Sequence, residues 1–577
     1  MKRRLLLITL LGCTQIWAQS SFQPDTAWIH VNNIKALVSA DGRLFWDGQN
    51  GQFGIPDENG SLTISPIKSA GLWLAAIDPG GNLRGAVHTF DGSDDDFCPG
   101  ISTSDWTNTG PCVNSVLNRI WRITKEELVA FFIDQSDGQI EGNHPAIYAW
   151  PGRGNPHFAG ILGFELPDVP SYDHLAPFFD ANGDEIYNPD DGDFPMRFHF
   201  GCSVDPYLAE EMLWFVFNDA VIHTTPGFSP LYFDVQCVVS AYACSADNLL
   251  GNTIYVEYYL INKSIVDYNE LHAGIYADLS LGCSNDDYIG SIPEYHTGYV
   301  YNSDNNDGGC SNQEGYGSNP PAVSVALLRQ LTDPWLFETE QGGVMPVFDL
   351  QSSEPPGKKH PENGTQYYYN LTSRWKDNSP LTFGGDGYMD GIPVKFIYPG
   401  NPSNPLEWSE VSTIQSPGKR GILISSGPVD IDSGRATRMA VSFSIIQQSN
   451  NNHLQNVQLL ADSMSQIAIP YEYCFDGPPL PCSPIISSTV NYPKTDKTLV
   501  LFPNPTTNQI RYQCSDCNPA VLIIYDRIGR RVAQIDHPEE QGLIGIDQLF
   551  PGAYFLQMIT IEGKVIVKPF IISNGIK

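Results

Sequence analysis

Basic residues are scarce in this chain. Among its 577 residues, lysine and arginine together number 32 against 65 aspartates and glutamates, and the formal net charge is −33. So large an excess of negative charge repels nucleic acid and anionic lipid surfaces. It attracts divalent cations, and carboxylate and amide oxygens are the ligands that calcium prefers. The composition therefore excludes a nucleic-acid-binding protein.

The sequence also lacks the short motifs of several large enzyme classes. It contains no HExxH, GxSxG, Walker A or GxGxxG pattern, the usual signatures of zinc peptidases, α/β-hydrolases, P-loop proteins and dinucleotide-binding enzymes. We therefore predict that the chain is not an enzyme. A secreted polysaccharide-degrading hydrolase is the alternative, because two carboxylates across a cleft suffice for glycoside hydrolysis and leave no motif. Glu257, Asp278 and Glu294 are candidates for such a pair, and the sequence does not distinguish among them.

Hydrophobic runs long enough to cross a bilayer are missing as well, so we expect no transmembrane segment. A short apolar run follows three basic residues at positions 2–4 and precedes the sequence IWAQ at positions 16–19. This arrangement predicts a signal peptide over residues 1–19 and places the mature chain outside the cytoplasm. The sequence LLGC at positions 10–13 also resembles a lipoprotein box, which would attach a lipid to Cys13, and this alternative stays open.

Glycine, proline and aromatic residues are plentiful. The chain has 52 glycines, 44 prolines and an aromatic fraction of 11%, a composition typical of strands joined by tight turns. We therefore predict an all-β fold with several β-sandwich-like domains. A turn at residues 78–82 predicts a hairpin, and alternation over residues 254–261 predicts a strand with one polar face. One late helix is expected at residues 453–467, where apolar residues recur with a helical period.

The 12 cysteines indicate an oxidising compartment, because most of them fall in pairs that are close in sequence. We predict disulfides between Cys98 and Cys112, Cys237 and Cys244, Cys283 and Cys310, Cys474 and Cys482, and Cys514 and Cys517. Cys202 is left over, and spacing alone does not establish the connectivity. The CxxC at positions 514–517 has no second pair nearby, which argues against zinc.

The best chemical motif is the acidic segment DANGDEIYNPDD at residues 180–191. Side-chain oxygens at its positions 1, 3, 5, 9 and 12, with a backbone carbonyl at position 7, match an EF-hand-type calcium loop. The predicted metal ligands are Asp180, Asn182, Asp184, Ile186, Asn188 and Asp191. Position 6 is Glu185 instead of glycine, position 12 is the shorter Asp191, and no flanking helices are expected. Calcium here would stabilise the structure, and a solvated acidic turn is the alternative.

A second calcium site is less well supported by the sequence. Residues 302–308, NSDNNDG, have suitably spaced oxygens, but no carboxylate follows at the twelfth position. The remaining acidic clusters are typical of solvated turns.

Residues 498–577 have the pattern of a small β module, with apolar runs separated by turn residues. The module contains, in order, FPNP at 502–505, IYDRIGR at 524–530, LFPGAYFL at 549–556 and KVIVK at 564–568. These segments resemble the type A C-terminal sorting domain of proteins exported by the Bacteroidetes type IX secretion system. The resemblance implies an Ig-like β-sandwich that the translocon recognises. Pro569 lacks a backbone donor and predicts an edge or a bulge in the last strand.

The body carries a second set of segments: PFFDANGD at 177–184, GDFP at 192–195, LWFVFND at 213–219, DDYIG at 286–290, YVYN at 299–302 and YGSNPPA at 316–322. They resemble an uncharacterised group of large exported Bacteroidetes surface proteins. This resemblance supports export and surface location and implies no reaction.

Together these features predict a protein that is secreted or attached to the outer face of the outer membrane. We expect a calcium-stabilised adhesion or structural protein, with the type IX translocon and sorting machinery and an extracellular glycan or surface ligand as partners. The predicted domains are a signal peptide (1–19), an N-terminal β domain (20–176), a calcium loop with a β-sandwich (177–345), a β-rich region ending in a helix (346–475), a linker (476–497) and the sorting domain (498–577).

Overall fold

The structure is a computed structural model. It describes residues 23–90, 96–102, 112, 115–135, 140–169, 174–197, 209–242, 249–310, 314–331, 342–350, 352–389, 391–413, 415–467, 499–502, 509–514, 519–526, 531–539, 541–546, 549, 552–560 and 565–572. The predicted signal peptide, Cys13 and the linker at 476–497 lie outside these residues.

The body consists mainly of strands with a few helices, which confirms the all-β fold class. Its strands are β1 Thr26–Ile29, β2 Lys35–Ser39, β3 Phe53–Gly54, β4 Ile67–Ile77, β5 Leu83–Val87, β6 Cys98–Pro99, β7 Trp121–Thr124, β8 Phe178–Phe179, β9 Phe194–Pro195, β10 Glu211–Asn218, β11 Phe233–Ala241, β12 Thr253–Asn262, β13 Tyr268–Leu279, β14 Asp287–Ile292, β15 Thr297–Asn302, β16 Asn306–Asp307, β17 Gly317–Ser318, β18 Ala322–Arg329, β19 Val344–Val347, β20 Gly421–Ile431 and β21 Ala436–Ile446. Its helices are α1 Lys125–Asp134, α2 Pro145–Tyr148, α3 Phe158–Leu162, α4 Gly364–Leu371 and α5 His453–Ser463.

Two antiparallel sheets organise the body. The larger has nine strands, in the order β14-β15-β18-β21-β12-β11-β10-β6 with β7 also paired to β10, and the smaller has five, in the order β19-β20-β13-β4-β5. The hairpin predicted around residues 78–82 is confirmed as β4 and β5. Positions 176 and 345 are the ends of two predicted domains. Both sheets contain strands from before and after each of these positions, and position 345 falls within β19. Strands from the three predicted domains of the body, 20–176, 177–345 and 346–475, therefore share the two large sheets.

The main hydrophobic core contains side chains from both sheets. Successive side chains of a strand point to opposite faces, and the residues of one face of the larger sheet are apolar and fully buried. They include Leu213, Phe215, Val235, Val239, Val256, Leu260, Val441 and Phe443. The smaller sheet contributes Leu72, Leu74 and Ile275 to the same cluster. Burial of each such side chain is worth about 1.5–3 kcal/mol relative to exposure.

The opposite face of the larger sheet is buried by two further clusters. One cluster joins Trp214 and Tyr259 to Phe131 of α1, and the other joins Tyr255 to Leu460 of α5. Every residue of β12 is consequently buried. The strand predicted over residues 254–261 is therefore confirmed as part of β12, and other segments of the chain cover its polar face.

The prediction of one late helix is confirmed at α5, which ends at Ser463, and residues 465–467 are helical again after a turn at Met464. The other helices were missed. Helix α1 begins at a capping box, in which Thr124 Oγ1 accepts from Glu127 N while the Glu127 side chain accepts from Thr124 N. The Thr-x-x-Glu spacing was a readable signal for this helix start.

A buried ion pair covers the edge strand β14. Glu410 is 1% exposed. Its Oε2 accepts a hydrogen bond from Ile289 N at 2.7 Å, and its Oε1 accepts one from Arg420 Nε at 2.9 Å. Ser291 N also donates to the Tyr398 carbonyl at 3.1 Å. These contacts occupy backbone donors that an open sheet edge would otherwise present to another chain.

The C-terminal module has seven described strands: β22 Leu499–Phe502, β23 Gln509–Cys514, β24 Pro519–Asp526, β25 Arg531–Asp536, β26 Gln541–Gly545, β27 Gly552–Thr560 and β28 Val565–Ile572. They form a three-stranded sheet, β22-β23-β26, and a four-stranded sheet, β25-β24-β27-β28. Ile510, Leu522, Leu556 and Phe570 share one core between them. Pro569 lies in β28, at the edge of the four-stranded sheet, as predicted.

Two predicted disulfides are confirmed, Cys98–Cys112 and Cys283–Cys310. Cys514 is also disulfide-bonded, whereas Cys202, Cys244, Cys474, Cys482 and Cys517 lie outside the described residues. The predicted pairing of Cys237 with Cys244 is wrong. Cys237 is a free thiol in β11, fully buried in the main core, so proximity in sequence did not reveal that its side chain packs between the sheets.

Asp234 of β11 makes the stability of the body depend on pH. It is 3% exposed, and its Oδ1 accepts a hydrogen bond from Ser102 N at 2.7 Å. Burial raises the pKa of Asp234 to about 6, although the Ser102 hydrogen bond and the charge of Lys263 act to lower it. Because the folded-state pKa is raised, the stabilising contribution is present at pH values below the ordinary carboxyl pKa and is lost as the pH rises through about 6.

We expect Asp234→Asn to gain stability relative to the parent, by about 1–3 kcal/mol, as the pH rises from about 4 to 7. Urea denaturation at each pH measures this difference. The matched control is Asp432→Asn at an exposed turn position, which should track the parent. A parent-to-variant difference that is the same at every pH would contradict the prediction.

Candidate functional site

The predicted calcium loop is held between two short strands. Phe178 and Phe179 of β8 pair with Pro195 and Phe194 of β9, so the ends of the segment 180–193 are brought together. The loop is tied to the rest of the body through Tyr187, which is fully buried and donates its hydroxyl hydrogen to the Ile147 carbonyl at 2.8 Å. The loop is therefore ordered, and its two ends and Tyr187 are packed against the body.

Side chains in the first half of the loop accept hydrogen bonds from the loop's own backbone. Asp180 accepts hydrogen bonds from Gly183 N at 2.7 Å and from Glu185 N at 2.8 Å. Asn182 Oδ1 accepts from Asp184 N at 3.0 Å, and Asp184 Oδ1 accepts from Ile186 N at 2.8 Å. The side chains at positions 1, 3 and 5 thus each accept a hydrogen bond from a backbone N–H group two to five residues later in the chain. Carboxylate and amide oxygens retain further lone pairs in this arrangement, and these can bind a cation.

Glu185 occupies the sixth position with a backbone φ of 62°. This left-handed conformation is the one that favours glycine and is strained for a residue with a Cβ. The EF-hand rule asks for glycine at this position because the chain turns sharply there. The backbone therefore makes the turn that the rule describes, although the residue is glutamate.

The second half of the loop brings two of the remaining predicted ligands, Asn188 and Asp191, together. Asn188 Nδ2 donates to Asp191 Oδ2 at 2.7 Å, and Asn188 Oδ1 accepts from Asp190 N at 3.3 Å. Ile186 is 41% exposed. Within the described part of the chain, no group of three or more His, Cys, Asp or Glu side chains is arranged as a metal centre. Calcium also binds amide and backbone oxygens, and the ligand set stays a prediction.

Asp193 is the residue of this loop that the sequence analysis overlooked. It is fully buried, and its two oxygens accept hydrogen bonds from Ala181 N and Asn188 N, both at 2.8 Å. Burial, with smaller effects from the charges of Asp180 and Asp184, raises the pKa of Asp193 to about 6. The carboxylate clamps the two halves of the loop together. Its position directly before β9 was the available signal.

The candidate carboxylates for hydrolysis lie in different elements. Glu257 is buried in β12 of the larger sheet. Asp278 lies in β13 of the smaller sheet, with its Oδ1 3.2 Å from Lys419 Nζ. Glu294 lies in the turn Pro293–Tyr295 between β14 and β15. The sequence did not predict the ion pair of Asp278 with Lys419.

The C-terminal module matches a known family of domains. Residues 500–573 match the family model described as a secretion system C-terminal sorting domain. This chain carries a type IX secretion sorting domain. The resemblance seen in residues 498–577 is thereby confirmed. A sorting domain of this family implies interaction with the secretion machinery, and secretion with attachment to the outer-membrane surface or release. The resemblance noted for the body stays a prediction.

Other comparisons add little. No curated protein matches the chain. A solved structure of a polysaccharide lyase aligns with 6% sequence identity and a TM-score of 0.16, over 59% of this chain and 34% of that one. The chain thus spans about a third of that protein's length, and a likeness this weak carries no argument about fold or activity. None of the described helices is long and apolar enough to span a membrane.

The strained sixth position leads to a prediction. Glu185→Gly should be more stable than Glu185→Ala by about 1 kcal/mol, because both lose the side chain and only glycine relieves the left-handed backbone. Urea or thermal unfolding of the two variants measures the difference. Glu58 is exposed and is not among the residues with positive φ. There the alanine variant Glu58→Ala should be more stable than Glu58→Gly. Equal stability of the two Glu185 variants would disprove the proposed backbone strain.

Proposed function

We propose that the chain is a non-enzymatic protein of the outer cell surface or the surrounding matrix, that it serves adhesion or envelope structure, and that calcium stabilises its body. The observation that carries the proposal is the sorting domain at residues 500–573. That domain explains export, and the body is the part that acts outside the cell. Its acidic composition, with 65 acidic against 32 basic residues, suits a calcium-containing environment.

The acidic loop supports the calcium part of the proposal. Its first half forms consecutive side-chain turns at Asp180, Asn182 and Asp184, and its sixth residue makes the sharp turn of an EF-hand-type loop. The charges of Asp180 and Asp184 both act on buried Asp193, and a bound divalent cation would compensate all three carboxylates. Calcium would act here as a structural brace for the loop.

The placement of the candidate carboxylates supports a non-enzymatic role. Glycoside hydrolysis needs two carboxyl groups roughly 5–10 Å apart on either side of an open cleft. Glu257 is 6% exposed within a strand that is buried along its whole length. Asp278 is paired with Lys419, which also lies 3.1 Å from Asp349 Oδ2. These two carboxylates are engaged in the packing of the body.

We expect a chelator to lower the melting temperature of the purified mature chain. A ligand present at 100 times its dissociation constant stabilises the folded state by about 2.7 kcal/mol, and chelation removes that contribution. Differential scanning calorimetry with EGTA and with calcium measures the shift. The shift should be smaller in Asp180→Asn/Asp184→Asn and unchanged in the control Asp432→Asn. An unchanged melting temperature of the parent chain in EGTA would refute the proposal that calcium stabilises the body.

The functional class is tested with a glycan array run beside reducing-sugar release on a panel of plant and algal polysaccharides. We expect binding, or no interaction, without release of reducing ends. Release above that of a heat-denatured sample would overturn the non-enzymatic assignment in favour of a hydrolase. Glu257→Gln, Asp278→Asn and Glu294→Gln would then identify the carboxylate responsible, with Asp432→Asn as the control.

A further inference from the structure

A second group of acidic residues is gathered inside the loop closed by the Cys283–Cys310 disulfide. This loop contains the β14–β15 hairpin, in which Asp287 pairs with Asn302, and the short strand β16, which ends at Asp307. Ser303 N donates to the Asp286 carbonyl at 2.7 Å and holds the two neighbouring segments together. We call Asp286, Asp287, Asn302, Asp304 and Asp307 the disulfide-loop cluster.

Asp287 has an oxygen without a partner at the centre of this cluster. The residue is 0% exposed. Its Oδ2 accepts a hydrogen bond from Leu281 N at 3.0 Å, whereas its Oδ1 is buried and has no hydrogen-bond partner among the described residues. A buried, ionised oxygen without a partner is strongly unfavourable. Burial and the neighbouring charges of Asp286 and Asp307 raise the pKa of Asp287 well above its usual range.

Asp307 is held firmly next to Asp287. Its Oδ1 accepts from Cys283 N at 3.1 Å and its Oδ2 from Tyr316 N at 2.7 Å, and it is 1% exposed. Two glycines make room for this carboxylate: a Cβ on Gly282 would collide with Asp307 Oδ2, and a Cβ on Gly315 would collide with the Asp307 backbone oxygen. Glycine at these two positions therefore leaves the space that Asp307 occupies.

The negative charge of the cluster is poorly compensated. Asp286 and Asp304 both act on Asp307. Within the described part of the chain, the positive charge that acts on Asp287 is that of Arg420, which already donates through Nε to Glu410 Oε1 at 2.9 Å. Carboxylates whose charges act on one another in this way favour a further positive charge nearby.

We propose that the disulfide-loop cluster binds a divalent cation, that this cation is calcium, and that amide and backbone oxygens complete the ligand set, because no three described acidic side chains alone are arranged as a metal centre. The donors gathered here are carboxylate, amide and backbone oxygens, which calcium prefers and softer metals do not. The bound ion fastens the end of the β14–β15 hairpin to β16, where the disulfide already joins the chain, and compensates the buried oxygen of Asp287. The site uses no residue of the loop at 180–191 and is independent of it.

The test removes the other candidate site first. In the Asp180→Asn/Asp184→Asn background, isothermal titration with calcium chloride should still show binding, and calcium should still raise the melting temperature. Adding Asp287→Asn should weaken this binding at least tenfold and remove the melting shift. Adding Asp286→Asn, at a half-buried position, should also weaken calcium binding. This variant replaces Asp287→Asn in the test if Asp287→Asn does not fold. Asp432→Asn in the same background is the control.

The outcomes separate this site from the calcium loop. Loss of all calcium binding in the Asp180→Asn/Asp184→Asn background, or undiminished binding after Asp287→Asn or Asp286→Asn, would overturn the second site and leave the proposed loop intact. Binding that responds to Asp287→Asn but not to Asp180→Asn/Asp184→Asn would support the second site and contradict the loop. In the absence of calcium, Asp287→Asn should not destabilise the chain, because it removes a buried like charge.

Discussion

The nine-stranded sheet is buried on both faces, and the rest of the body is arranged by this requirement. One face packs with the smaller sheet, whereas the other must be covered by segments that are not strands of either sheet. Helix α1 with the 174–197 region covers one half, and α5 covers the other. Trp214 and Tyr255, on the outer face, are completely buried. Packing against one sheet accounts for the positions of the acidic loop and of the late helix.

Several buried aspartates in the described part of the chain serve as acceptors for backbone N–H groups. Asp219, fully buried, accepts from Leu231 N and Phe233 N, both at 2.6 Å. Asp193 and Asp307 do the same within their loops. A carboxylate satisfies two donors that a turn leaves unpaired, and it does so without a lysine or arginine partner. The shortage of basic residues is consistent with this use, and it leaves the closest groups of carboxylates in need of a cation.

Local patterns in the sequence were sufficient for much of the fold. The all-β class, the β4–β5 hairpin, α5 and the C-terminal module follow from alternation, helical period and turn residues, which act over a few positions. The burial of Tyr255 and Tyr259 was not predictable in this way, because it depends on segments more than a hundred residues away. Cys237 was mispaired for the same reason. At the candidate site, the first half of the loop was readable from spacing. The two hydrogen bonds of Asp193 depend on how the loop folds back on itself, and the effect of Asp307 on Asp287 depends on two segments of the chain meeting.

The pairing of the strands has a consequence for how the chain reaches its native state. Strand β4 at residues 67–77 lies beside β13 at 268–279, and β13 lies beside β20 at 421–431. The smaller sheet cannot close until all three segments are present together. Topologies dominated by such distant contacts have a high contact order and fold slowly. A chain that folds in this way leaves strand edges unpaired until all three segments have met, and unpaired edges can associate with other chains.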